Sequence, residues 1–240
     1  MKRNLLLLFL LAYAWTGVGA KNEVSVHGAV IASTSYLWRG ERVCGPHVNP
    51  KLSVSVGGFT FETYSYLAFN WQYQEIDFDI SYKIGDFSVH IADYYFHDHK
   101  LKDDAEYFEW RCGVSNHVDE VSFIYESSAI PLNVRWFTFF WGFWLPDGVQ
   151  NAGRLSLSSY LELETYHEFG KFGTLSLTVG SSVFRGPYTD FKHYFMPVHL
   201  GLRYGKTFTA GNFEFPVEAA LVVNPYRKTV LAGASVGIAF

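Results

Sequence analysis

From Glu75 to Ile84 the chain reads Glu-Ile-Asp-Phe-Asp-Ile-Ser-Tyr-Lys-Ile. Ile76, Phe78, Ile80, Tyr82 and Ile84 fall on one side of an extended strand, and Glu75, Asp77, Asp79, Ser81 and Lys83 on the other. A period of two calls for a strand with one apolar and one charged face. The last eleven residues repeat the pattern: Val230, Ala232, Ala234, Val236, Ile238 and Phe240 share one side, and the chain stops on the aromatic. Weaker alternation runs through Leu52–Val56 and through 87–96, 121–126, 132–140, 154–168, 174–184, 198–208 and 213–223. Two all-β architectures satisfy it. In a soluble sandwich the polar faces meet water, and in a membrane barrel the apolar faces meet lipid while the polar ones line a bore.

The N-terminus favours the barrel. Lys2 and Arg3 precede the apolar run Leu5–Leu11, and Val18-Gly19-Ala20 forms a small-residue exit. This pattern predicts a secretory signal peptide at 1–20, cleaved after Ala20, and one exported domain at 21–240. The apolar run is shorter than the roughly 18 residues a membrane helix requires. Aromatic residues make up 19% of the chain, yet mean hydropathy is only +0.04, because polar residues alternate with apolar ones. The net charge is −4; without Lys2 and Arg3, 17 basic residues face 23 acidic ones, giving −6. That balance excludes general affinity for nucleic acid.

Connections come in two lengths. Tight ones are Gly57-Gly58, Gly85-Asp86, Ser127–Pro131, Gly170–Gly173 and Ala210–Asn212, rich in residues that accept turn dihedrals. Long ones are expected at 41–47, 97–119, 141–153, 185–193 and 224–229. A barrel with short periplasmic turns, longer external loops and both termini in the periplasm has an even strand number. Placing 105–115 within one external loop makes that number twelve, within a band of ten to fourteen. Strand twelve then closes the ring against a first strand at about Val24–Tyr36. Aromatics at strand ends, among them Tyr36, Trp38, Trp71, Tyr73, Tyr94, Tyr95, Trp136 and Tyr204, are expected in interfacial girdles.

Thr34-Ser-Tyr-Leu-Trp-Arg-Gly40 is followed by Pro50-Lys-Leu-Ser-Val-Ser55 and by the hairpin built from Glu75-Ile-Asp-Phe78, Ser81-Tyr82, Ile84–Ser88 and Tyr94-Tyr-Phe96. This succession resembles the TorF-like, or Gcw_chp, family of proposed outer-membrane porins, which carries an S-x-Y-x-[FW]-R-G signature near the mature N-terminus. Looser likeness continues through Pro131–Phe140 and Ser158–Phe169 to the closing strand, over most of the mature chain. The resemblance implies an outer-membrane barrel with a pore role, signature residues Ser35, Tyr36, Trp38, Arg39 and Gly40, and no catalytic residues. It also implies that the terminal Phe240 belongs to the signal read by the barrel-insertion machinery.

Strand phase predicts the residues lining the bore: Glu62, Glu75, Asp77, Asp79, Lys83, His90, Arg135, Glu162, Glu164, His199, Arg203, Glu214 and Glu218. Acids outnumber bases, so the bore is expected to be mildly acidic. Two readings follow: an aqueous path that favours cations among small hydrophilic solutes, or a bore crossed by ion pairs that leave little opening. Arg39 beside Trp38 reads either as a ligand-binding guanidinium at the rim or as a structural corner paired with a lumen carboxylate. Cys44 and Cys112 fall in external loops on one side, which makes a disulfide between them possible.

A lipid hydrolase or acyltransferase needs a nucleophile and base in contact. Ser159 and His167 share a lipid face, eight residues and about 26 Å apart. The chain is therefore read as non-enzymatic, with no cofactor or metal assigned; the pair His97 and His99 is read as a solvated loop. The expected surroundings are a lipid bilayer and lipopolysaccharide. The functional alternatives are a small porin-like passive channel and a closed barrel that presents its loops.

Overall fold

The computed structural model describes residues 23–98, 107–110, 115–142 and 158–240. The expected signal peptide at 1–20, Cys112 and most of the connections at 97–119 and 141–153 lie outside the described residues. The strands are β1 (Val24–Ser33), β2 (Tyr36–Trp38), β3 (Glu41–Cys44), β4 (His47–Val56), β5 (Phe59–Ala68), β6 (Tyr73–Ile84) and β7 (Phe87–Asp98). They continue with β8 (His117–Glu126), β9 (Leu132–Gly142), β10 (Ser159–Glu168), β11 (Thr174–Ser182), β12 (Met196–Ala210), β13 (Phe213–Asn224) and β14 (Thr229–Ala239).

Twelve of these strands, β1 and β4 to β14, form a closed antiparallel barrel; β2 and β3 form a separate two-stranded ribbon. The barrel strands are 9 to 15 residues long, enough to cross a bilayer when tilted. Outward positions carry Val26, Val30, Leu52, Ile80, Ile91, Phe123, Leu177, Leu202 and Val236, all exposed. A sheet in water would be covered or charged there.

The ring closes where β14 meets β1, with Ala29 opposite Ala239 and Ser33 opposite Ser235. Phe240 extends the seam: its N–H donates to Gly28 O at 2.9 Å, and Gly28 N–H donates to Phe240 O at 3.0 Å. The Phe240 ring lies over Gly28, where a Cβ would come within 2.5 Å of it. Aromatic cover of a strand glycine is a known way to pin register.

Two expectations need correction. The first strand ends at Ser33, and Tyr36 opens a new strand that leaves the wall. Loop length separates the two ends only partly, since residues 69–72 and 225–228 join strands at the loop end with four residues each. What separates the ends consistently is parity.

Candidate functional site

At Thr34 the chain turns inward. Thr34 N–H donates to Ala234 O at 2.9 Å, and its hydroxyl accepts from Ala234 N–H at 3.0 Å. Tyr36, Leu37 and Trp38 then pair with Cys44, Arg42 and Glu41 across a turn made by Arg39 and Gly40. Both turn residues have positive φ, 46° and 90°, as a two-residue hairpin turn of type I′ requires. Gly40 has a second reason to be glycine: a Cβ would sit 2.0 Å from the Val198 carbonyl oxygen. Asn224 Nδ2 donates to Gly40 O at 3.2 Å. An arginine held left-handed costs about 1–2 kcal/mol, so its side chain must recover that elsewhere.

It does so across the bore. Arg39 makes a bidentate pair with Glu120 of β8, Nη1 to Oε2 at 2.6 Å and Nη2 to Oε1 at 2.7 Å. Arg39 Nη1 also donates to the Tyr188 hydroxyl at 2.6 Å. Tyr94 donates to Glu120 Oε1 at 3.0 Å, and the Glu120 side chain is 0% exposed. The guanidinium lies 4.0 Å from the Phe137 ring centre and 4.6 Å from that of Trp38. Burial of such a pair is tolerated only when hydrogen bonds satisfy the remaining donors and acceptors, and here aromatic faces shield what is left. Of the two readings of Arg39, the carboxylate-paired corner is the one present, inside the bore.

The wall is shaped to receive the turn. Between Gly180 and Ser181 of β11, β12 carries one extra residue, Val198. Between Asp119 and Glu120 of β8, β9 carries one extra residue, Phe140. Such bulges re-aim neighbouring side chains. The first brings Val198 to the turn, and the second adjoins Glu120 and Phe139.

Around the turn the upper bore is packed. Tyr36 stacks on Tyr66 with ring centres 3.8 Å apart. Tyr73, Phe96, Val118, Phe139, Tyr160 and Val198 join the same buried cluster from β6 to β10 and β12. Tyr36, Trp38, Tyr73 and Tyr94 therefore belong to this interior and not to an interfacial girdle. Exposed Trp71 and Tyr204 keep outward positions. The packing left a sequence signal. Tyr64 and Tyr66 are in phase with Glu62, Tyr94 with His90, Phe137 with Arg135, and Tyr160 with Glu162. Large aromatics on the charged face, grouped at one end of several strands, mark a filled bore.

The other half is polar and roomier. Two cavities of ≈ 490 and ≈ 470 Å³ lie there, the first lined by His27, Lys51, Glu62 and Glu214, the second by Thr174, Ser176, Arg203 and Glu218. A cleft of ≈ 170 Å³ between hairpin and wall is lined by Ser35, His47, His199 and Ser235 as well as by Arg203 and Glu218. Arg135 pairs with Glu162 at 2.9 Å and Glu164 at 3.1 Å, and Asp79 lies 3.1 Å from His90. Lys51 meets Glu62 at 3.3 Å, Arg203 meets Glu218 at 3.3 Å, and Lys83 meets Glu126 at 3.2 Å. These pairs run along the wall between near-neighbour strands. The pair from Arg39 to Glu120 instead joins the hairpin to the far side.

Above the hairpin, Arg227 bonds Glu41 of β3 at 3.0 Å and Asp190 at 2.7 Å. Burial alone would raise the Asp190 carboxyl, but the Arg227 hydrogen bond and charge outweigh it and hold the group below its ordinary value of 3.8. A depressed folded value means that the contact stabilises above the ordinary value and is lost as pH falls through the lowered one. Protection of the 226–228 amides, relative to their intrinsic exchange, is therefore expected to fall below about pH 4. Unchanged protection down to pH 2 would contradict this role for Asp190. Cys44 is a free, half-buried thiol, and burial pushes it up to about 11; its expected partner Cys112 lies outside the described residues. Ser159 and His167 sit at opposite ends of β10, with Ser159 Oγ 2.8 Å from Thr138 Oγ1.

No protein-family model and no curated protein matches the chain. Among solved structures it is similar to Salmonella typhi OmpF in complex with daunomycin, at 8% identity over 91% of this chain and 97% of that one, with a TM-score of 0.39. The monoaromatic hydrocarbon channel CymD gives 9% identity over 92% and 87%, also at 0.39. OccAB3 of Acinetobacter baumannii gives 10% identity over 92% and 65%, at 0.38. The bore's own geometry carries the functional reading.

Proposed function

We propose that the chain is a porin-like barrel of the outer membrane whose first external loop closes its own bore. Solutes would pass only when the β2–β3 hairpin withdraws. The observation that carries this reading is the Arg39–Glu120 pair, which fastens the hairpin to the opposite wall inside a buried aromatic cluster. The apolar outer surface suits lipid, and the loop end would face outward into lipopolysaccharide. The segment 1–20 would export the chain, and Phe240, paired at the closing seam, would be read by the insertion machinery. The hairpin is built from the signature residues Tyr36, Trp38, Arg39 and Gly40, so the TorF-like resemblance and the closure concern the same stretch. In the open state, wall carboxylates such as Glu62, Glu162, Glu164, Glu214 and Glu218 would favour small hydrophilic cations.

The buried cluster also supports a second reading, a barrel that stays closed and presents its loops. Swelling of liposomes tests closure directly. Vesicles carrying the wild-type barrel are expected to swell in iso-osmotic small sugars no faster than protein-free vesicles. Rapid swelling would contradict both closed readings and restore a constitutively open passive channel.

A further inference from the structure

The cleft of ≈ 170 Å³ between the hairpin and strands β12 to β14 is lined by polar groups that the closure of the bore does not use. The nearest approach of Arg203 to Glu218 is Nε to Oε1 at 3.3 Å, and the side chains are 51% and 41% exposed. Among the described residues neither makes a further hydrogen bond, so the Arg203 Nη groups and Glu218 Oε2 are left for a ligand. The same holds for the hydroxyls of Ser33, Ser35 and Ser235. His47 Nδ1 donates to Gly45 O at 3.0 Å. His199 Nδ1 lies 2.9 Å from the Tyr160 hydroxyl, whose proton goes to Glu162 Oε2 at 3.0 Å. In both histidines, 2% and 8% exposed, Nε2 has no protein partner among the described residues and is an acceptor when the ring is neutral.

The wall sets these groups in order. Glu218, Ser235, Ser33 and His47 stand opposite one another across β13, β14, β1 and β4, one strand spacing of about 4.8 Å apart. Arg203 brings its donors beside the Glu218 carboxylate. An adjacent donor and acceptor suit a vicinal diol, in which one hydroxyl accepts from Nη and the next donates to Oε2. Leu37, Ala220 and Val222 supply an apolar side against which C–H groups pack. The guanidinium and the carboxylate balance, so a lone anion is opposed by Glu218 and a lone cation by Arg203. About 10–15 Å³ suffices for one water, so the cleft has room for a small organic solute. Arg203 and Glu218 also line the cavity of ≈ 470 Å³ that includes Gly170 and Gly173 of the turn before β11. A path to the cleft therefore exists with the hairpin seated. We propose that the cleft binds a neutral polyhydroxylated solute, of the size of a single sugar ring, through Arg203, Glu218 and the serine hydroxyls.

This proposal rests on the seated hairpin, because Ser35 and Leu37 line the cleft. Its readout is binding at equilibrium and does not depend on solute flux. Calorimetric titration uses the purified full-length barrel in a detergent without a sugar headgroup. D-glucose should give a saturable heat, whereas sodium acetate and ethylammonium chloride at equal concentration should give none. R203A and E218A should each weaken glucose binding at least about tenfold, the loss expected for a hydrogen bond to a charged group. A220F fills the cleft without changing a polar group and should abolish the heat. The comparison of the three probes on wild type stands whatever the folding of a variant. The absence of a saturable heat with glucose would overturn the site. An equal heat with acetate or ethylammonium would make the cleft a charge site, and unchanged affinity in all three variants would place glucose elsewhere; either result also overturns it. If glucose binds as expected but the wild-type liposomes swell, the site stands and the closure reading falls. If the liposomes stay tight and glucose does not bind, closure stands and the site falls.

Discussion

Arg39→Ala is expected to undock the hairpin and to make liposomes carrying the barrel leak. The substitution leaves the Glu120 carboxylate, 0% exposed, facing Tyr94 and an aromatic wall with no cation. Breaking a buried pair from one side costs about 3–5 kcal/mol, and loss of the stacked guanidinium removes a further ~1 kcal/mol or more of cation–π attraction. Among the described residues, Arg39 joins a bidentate carboxylate pair, a tyrosine hydroxyl and several ring faces in one side chain. The wall ladder does not depend on Arg39, so the barrel should still form and insert. Arg39→Lys keeps the charge but cannot reproduce the two-pronged contact and should be intermediate. Pairing Arg39→Met with Glu120→Leu removes both charges and should restore much of the docking. That recovery separates an ion-pair latch from general damage to the turn. A swelling rate for Arg39→Ala equal to that of wild type would show that the hairpin is held by packing alone.

Excising the ribbon itself should have the larger effect on transport. Replacing residues 36–44 with a short Gly-Ser linker removes Tyr36, Trp38 and Arg39 from the bore and leaves β1 joined to β4. Water would then reach Glu75, Asp77 and Glu120, which lie on the wall. The exposed acids should make the resulting conductance prefer cations, visible as a reversal potential displaced toward the cation limit in a salt gradient.

The barrel and its phase were legible because alternation is local. Each strand, such as Glu75–Ile84, declares its own two faces, and a closed sheet must turn all of them consistently. The ribbon was not legible, for a physical reason. β2 and β3 hold three and four residues, too few to show a period, and Tyr36 to Trp38 read as a continuation of β1. What draws them inward is contact over long sequence separations: 81 residues from Arg39 to Glu120, and 149 to Tyr188. Glu120 stands one residue before the alternating run at 121–126 and is absent from the expected lining residues, and nothing in the sequence marks its partner. The two bulges that receive the turn depend on one extra residue in β9 and β12, which alternation blurs. The inward aromatics could have been found, since Tyr66, Tyr94, Phe137 and Tyr160 stand in phase with charged neighbours. Position at a strand end does not separate aromatics of an interfacial girdle from those that fill the bore; phase with a charged neighbour does.

The most direct test of closure by the hairpin is planar-bilayer recording of the wild-type barrel beside the variant lacking residues 36–44, purified and inserted identically. Closure by the hairpin predicts a wild type that is silent or opens rarely, and a variant with steady, cation-preferring current. A wild type that already conducts steadily at the variant's level would contradict it.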